Sequence, residues 1–139
     1  MWTAITWGYR HSAERLVNCG AHVDNIITAS ALGYLDQVKS YFGVDGRLLP
    51  GLMIRGASCF THGRPFDPAR LLEYAFITAA GSGRREVVEF LLTKGPDLGF
   101  REPIYENTAL DAASYPHPAA GFPHGHPDVV QLLTATGAF

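Results

Sequence analysis

A chain of 139 residues, 47% of them hydrophobic, is long enough to bury a core and fits a single domain. Only 17% of the residues are charged and the formal net charge is −2, which excludes the basic footprint nucleic acid requires and leaves surface for an apolar contact patch. No apolar run approaches the ~20 residues of a membrane span, Met1-Trp2-Thr3-Ala4 lacks the basic segment of a signal peptide, and Cys19 and Cys59 read as thiols rather than a disulfide. The expectation is a soluble, cytoplasmic protein with no membrane or nucleic-acid partner.

In chain order, Ala4-Ile5-Thr6-Trp7-Gly8 leads through Arg15-Leu16-Val17-Asn18-Cys19 to Gly20-Ala21-His22-Val23-Asp24. Asp24-Asn25 then runs almost directly into a second copy, Ala29-Ser30-Ala31-Leu32-Gly33-Tyr34-Leu35-Asp36-Gln37-Val38. A long stretch, Gly43 through Pro65, is rich in turn signals. It also holds Leu48, Leu49, Leu52, Met53, Ile54 and Phe60, so it should pack onto the body. Asp67-Pro68 reads as a cap and first helical position, opening a helix through Ala80. The clearest copy follows: Thr78-Ala79-Ala80-Gly81-Ser82-Gly83, then Arg85 to Leu92 with Val87, Val88, Leu91 and Leu92 at helical spacing, then Gly95 as a stop. The last copy opens with Thr108-Ala109-Leu110-Asp111-Ala112-Ala113. A Pro-, Gly- and His-rich insertion, Tyr115 through His124, separates that helix from Gly125-His126-Pro127-Asp128-Val129-Val130-Gln131-Leu132-Leu133.

Each copy reads as a short helix, a glycine turn, a second helix and a glycine stop. Small alanines let paired helices approach, and the apolar face of each second helix needs a neighbouring unit to cover it. The segments Gly83 to Asp97, Thr108 to Ala113 and Gly125 to Leu133 resemble the ankyrin repeat family. Thr108, Leu110 and Ala113 keep the family's opening pattern, while Ala109 and Asp111 replace its Pro and His. The resemblance implies an all-α, ankyrin-like helix-turn-helix solenoid with one finger hairpin and one long inserted loop. Its units fall at about 1–24, 25–66, 67–106 and 107–139 of a single domain.

The resemblance further implies a non-enzymatic module that binds a protein partner through its concave face and finger. On that mapping Trp7, Leu32 and Ser82 precede the turn glycines, and Arg101, Glu102, Tyr105 and Glu106 sit on the finger. Aromatic anchors such as these bury much area at little entropic cost. A structural or self-associating piece is the competing reading, because the first unit starts mid-helix and leaves Trp2 and Trp7 at an uncapped end, a route to a homo-oligomer. A third is a metal or enzymatic site around His117, His124 and His126. Four prolines restrict that loop and only Asp128 lies nearby, so no metal site is assigned. Gly81-Ser82-Gly83-Arg84-Arg85 lacks the preceding strand of a phosphate loop. His11 stands two helical turns from Cys19, beyond hydrogen-bond reach. No catalytic residue, metal or cofactor is assigned.

Overall fold

The computed structural model describes residues 1–6, 9–52, 54–55 and 61–138. Its helices form successive pairs: α1 (Trp2–Thr6) with α2 (Arg10–Asn18), α3 (Ile26–Leu32) with α4 (Leu35–Ser40), α5 (Leu71–Gly81) with α6 (Arg85–Leu92), and α7 (Ala109–Ser114) with α8 (Pro127–Ala135). The described residues form no β-ladder, only the isolated bridges Phe42 to Leu48 and His117 to Phe122. None of their helices is long and apolar enough to cross a membrane.

Local chemistry sets where the first helix of each of the last three pairs begins. Asn25 caps α3 by accepting from the Thr28 amide at 2.9 Å. Asp67 accepts from the Ala69 amide at 3.0 Å and starts the 3-10 turn Pro68–Arg70, which runs into α5. The expected helix from Asp67-Pro68 is therefore a 3-10 turn followed by an α-helix ending at Gly81. Thr108 and Asp111 form a reciprocal capping box at the start of α7, at 3.2 and 3.1 Å.

The first helices pack in sequence: α3 touches α1 and α5, and α5 touches α7. The second helices follow, with α6 against both α4 and α8. One core joins Ile26, Ile27, Val38, Phe76, Val87, Leu91, Val129 and Leu133, while Ala4, Ile5, Ala13, Ala31 and Leu32 form a smaller one around the first pair. The stretch after α4 does pack onto the body: Leu48, Leu52 and Ile54 lie against the main core. Met53 and Phe60 lie outside the described residues.

The last pair closes around Gly125. It adopts φ +65°, and a Cβ there would stand 2.6 Å from the Ala113 carbonyl oxygen and 2.8 Å from that of Ser114. The adjoining amide, that of His126, donates to Ala113 O at 2.8 Å. Gly95 has a similar φ of +71° but open space around it. Gly95→Ala should cost about 1 kcal/mol, the penalty of a side chain in left-handed backbone. Gly125→Ala should cost at least about 3 kcal/mol, because backbone must also move. Urea unfolding of the two variants separates these terms; equal losses would mean the backbone approach at Gly125 is not tight.

Candidate functional site

The residues that follow two of the turn glycines, Gly83 and Gly125, reach back to the preceding pair. Arg84 follows Gly83 and lies across Gly33, its Cδ 2.9 Å from where a Cβ would stand. Its Nε donates to the Ala31 carbonyl at 2.9 Å and its Nη2 to Glu14 Oε1 at 3.0 Å, so one side chain ties α6 to α3 and α2. His126 does the same one pair on. Its ring packs directly on Gly83, and its Nε2 is 3.0 Å from the Gly81 carbonyl. Ala31 and Gly81 each stand two residues before the glycine that is covered, so the two contacts are one device used twice.

Electrostatics follow from this burial. Burial pulls Arg84 below its usual pKa, opposed by its hydrogen bond to Glu14. That same bond from Arg84 holds the Glu14 carboxyl below the usual carboxylate range. Burial likewise lowers His126, opposed by the Gly81 carbonyl, and lowers His117.

The His-rich insertion is folded, not loose. His117 and Phe122 exchange backbone hydrogen bonds at 2.7 and 2.9 Å around a Pro118–Ala120 turn. The Phe122 ring meets the His126 ring at 4.6 Å, and the Arg10 guanidinium lies 5.8 Å over Phe122. The insertion thus reaches from the last helix pair to the first. His126 spends its Nε2 on Gly81, and among the described residues no three His, Cys, Asp or Glu side chains gather as metal ligands.

The finger takes a different form from the hairpin expected. Glu102 organises residues 101–107: its carboxylate accepts from the amides of Ile104 at 2.6 Å, Tyr105 at 2.8 Å and Asn107 at 3.3 Å. Its own amide donates to Asn107 O at 3.0 Å. Arg101 Nη1 donates to Glu106 O at 2.7 Å and stands 3.6 Å from Asp111. Side-chain bonds have replaced a strand ladder, so Glu102 is a positioning group and not a free contact. Tyr105 is 50% exposed, with its ring edge-on to His62 at 6.4 Å. Arg101 and Glu106 are exposed beside it. Beneath, Tyr74 stacks on Phe66 at 4.7 Å and meets the Phe100 edge at 5.5 Å.

Two residues expected on the contact face are buried. Leu32 is 4% exposed and belongs to the smaller core; Ser82 is 9% exposed and caps the end of α5. All seven residues of α3 and nine of the eleven in α5 are buried, so these helices offer no open face. Tyr74 is core as well, at 3% exposure. Trp7 lies outside the described residues, as does Cys59. Trp2 is not at a bare end: its indole Nε1 donates to the Arg55 carbonyl at 3.2 Å.

Sequence reasoning missed a groove of about 540 Å³ between His22–Ile26 and the stretch from Gly51 to Arg55. It occupies the place where the short Asp24-Asn25 link leaves no residues for a finger. Gln37 fixes one wall by donating to Val23 O at 2.7 Å and to the Tyr41 hydroxyl at 3.1 Å.

No family model matches the chain, and no curated protein is recognisably similar to it in sequence.

The buried imidazole has a measurable consequence. An unfolded chain protonates His126 near the ordinary value of 6.5, whereas the folded chain holds it neutral to lower pH. The unfolded state then binds more protons in that window, so stability falls as pH drops through 6.5. The thermal midpoint should fall between about pH 7.5 and 5, and His126→Gln should flatten that fall, leaving the part due to His117. An unchanged slope in His126→Gln would contradict the buried, neutral imidazole.

Proposed function

We propose that this chain is a degenerate ankyrin-type stack whose role is non-catalytic binding of a protein partner. The order of helix packing supports the ankyrin reading: α1, α3, α5 and α7 pack in sequence, α6 packs against α4 and α8, and the last three pairs turn at Gly33, Gly83 and Gly125, whereas α2 packs on α3. The contact surface is the loop edge, not the first-helix face. The observation that carries this is the loop 101–107, where Glu102 fixes the backbone and Arg101 braces it, so that Tyr105 is presented on a rigid mount. Rigidity before binding lowers the ordering cost of an interface, and tyrosine is among the residues that most often anchor one.

Benzoylphenylalanine placed at Tyr105 should give discrete photo-adducts in cell extract that the same group at exposed Gln131 on α8 does not. Added wild-type protein should suppress those adducts. Tyr105→Ala protein should do so about tenfold less well, the scale of a hot-spot truncation. Equal competition by the two proteins, or the same adducts from both positions, would contradict the reading.

A second reading has its own observation. Tyr9 at 39% and Leu16 at 40% exposure lie along α2 with exposed Cys19, so the first pair shows an apolar strip. Self-association through that strip would appear as a mass that rises with concentration in sedimentation, abolished by Leu16→Glu. A constant monomer mass would dismiss it.

A further inference from the structure

We propose that the patch formed by Lys39, Lys94 and the turn from Phe42 to Leu48 is a second docking surface, built for an acidic peptide segment of a partner protein. It shares no residue with the Tyr105 loop, and it rests on the reading of the chain as a binding module.

The patch is assembled from three parts of the chain. Phe42 follows α4 and Phe90 lies on α6, and their rings meet edge to face at 5.4 Å. The Lys94 ammonium lies 5.1 Å over Phe42 and 4.9 Å over Phe90, and Lys39 lies 5.7 Å over the same Phe90 ring. Two cations therefore converge on one aromatic pair. Among the described residues neither ammonium has an ion pair or a hydrogen bond. The turn abuts Lys94, whose Nζ is 3.7 Å from where a Cβ of Gly46 would stand. The turn itself is closed by Gly43 N to Arg47 O at 2.8 Å and by Leu49 N to Tyr41 O at 2.9 Å.

A ring holds an ammonium in place without cancelling its charge. A carboxylate partner would hold it equally well but neutralise it. Lys39 and Lys94 are thus ordered in advance and have no counter-ion among the described residues, which lowers the ordering cost for an incoming anion. Arg47 adds a third cation on the turn. Asp45 is engaged by the Arg47 amide at 3.1 Å, and Asp36 and Glu86 make no ion pair with either lysine. Two ammoniums without a counter-ion among the described residues thus stand together on a chain whose overall charge is −2.

The apolar groups choose among anionic partners. Val44, on the turn whose Gly46 abuts Lys94, is fully exposed, and Leu49 just after the turn is 42% exposed. A peptide that alternates carboxylate and aliphatic side chains in extended form fits both kinds of group.

The test uses the full chain and two labelled peptides, one alternating glutamate with leucine, the other lysine with leucine. Anisotropy should show binding of the acidic peptide only, weakening with salt. The Val44 methyl signals should move on its addition. Lys94→Gln should weaken binding about threefold and Lys39→Gln/Lys94→Gln about tenfold, the scale of one and two exposed charge contacts. Unchanged thermal midpoints would confirm that the variants fold. Tyr105→Ala should bind the peptide as wild type does. The proposal is overturned if the double variant binds equally well, if Val44 does not respond, or if the chain takes up phosphatidylserine vesicles or duplex DNA in preference to the peptide. Any of those results leaves the competition experiment at Tyr105 standing, so the two readings fail separately.

Discussion

Everything in this fold depends on how closely one helix pair can approach the turn of the pair before it. The contact is a side chain laid flat over a glycine: Arg84 over Gly33 and His126 over Gly83. Each also caps a helix-end carbonyl that would otherwise be a buried, unpaired acceptor, Ala31 O and Gly81 O. A side chain on either glycine would occupy the space of the contact itself. The same geometry draws charge inward, because Arg84 is only 13% exposed at its side chain and must keep Glu14 as its counter-ion. The insertion before α8 extends the arrangement by setting Phe122 between His126 and Arg10. The turn edge is therefore the mechanical seam of the molecule, and the groups on it are committed to structure.

That commitment decides where binding can occur. With α3 wholly buried and α5 nearly so, these two first helices present no open face of the kind the family resemblance implied. Besides the outer faces of the second helices, two open elements are held in place by their own hydrogen bonds: the Glu102-organised loop carrying Tyr105, and the tight turn that carries Val44 and abuts Lys94. Both combine an exposed apolar group with a braced backbone. The proposed function follows from that combination, with a rigid body presenting small, pre-ordered contact elements.

Much of this was legible in the sequence. The glycine turns, the Val-Val-x-x-Leu-Leu face of α6 and the cap Asp67 read correctly, because each is a local rule with a local cause. The packing of the long stretch was also legible from Leu48, Leu52 and Ile54. The exposure of Leu32 and Ser82 was misread, yet a signal was present. Ile26 to Leu32 and Leu71 to Gly81 are apolar or small almost all the way round, the pattern of a helix buried on every side rather than of one with a free face. The form of the finger was not legible, since no rule of alternation shows a glutamate replacing strand hydrogen bonds with its own carboxylate. Nor were the aromatic and cationic contacts that join distant parts of the chain, such as Phe42 with Phe90 and Lys94.

The most direct test of this account is a proton NMR measurement on the wild-type chain. The packing of Arg84 on Gly33 and of His126 on Gly83 predicts strong cross-peaks from the Arg84 Hδ protons to Gly33 Hα and from the His126 ring protons to Gly83 Hα. The Gly83 Hα signals should also be displaced by the ring current of the imidazole. Glycine Hα signals at ordinary positions, with neither set of cross-peaks, would mean that the pairs do not close on their turns and that the account of the fold is wrong.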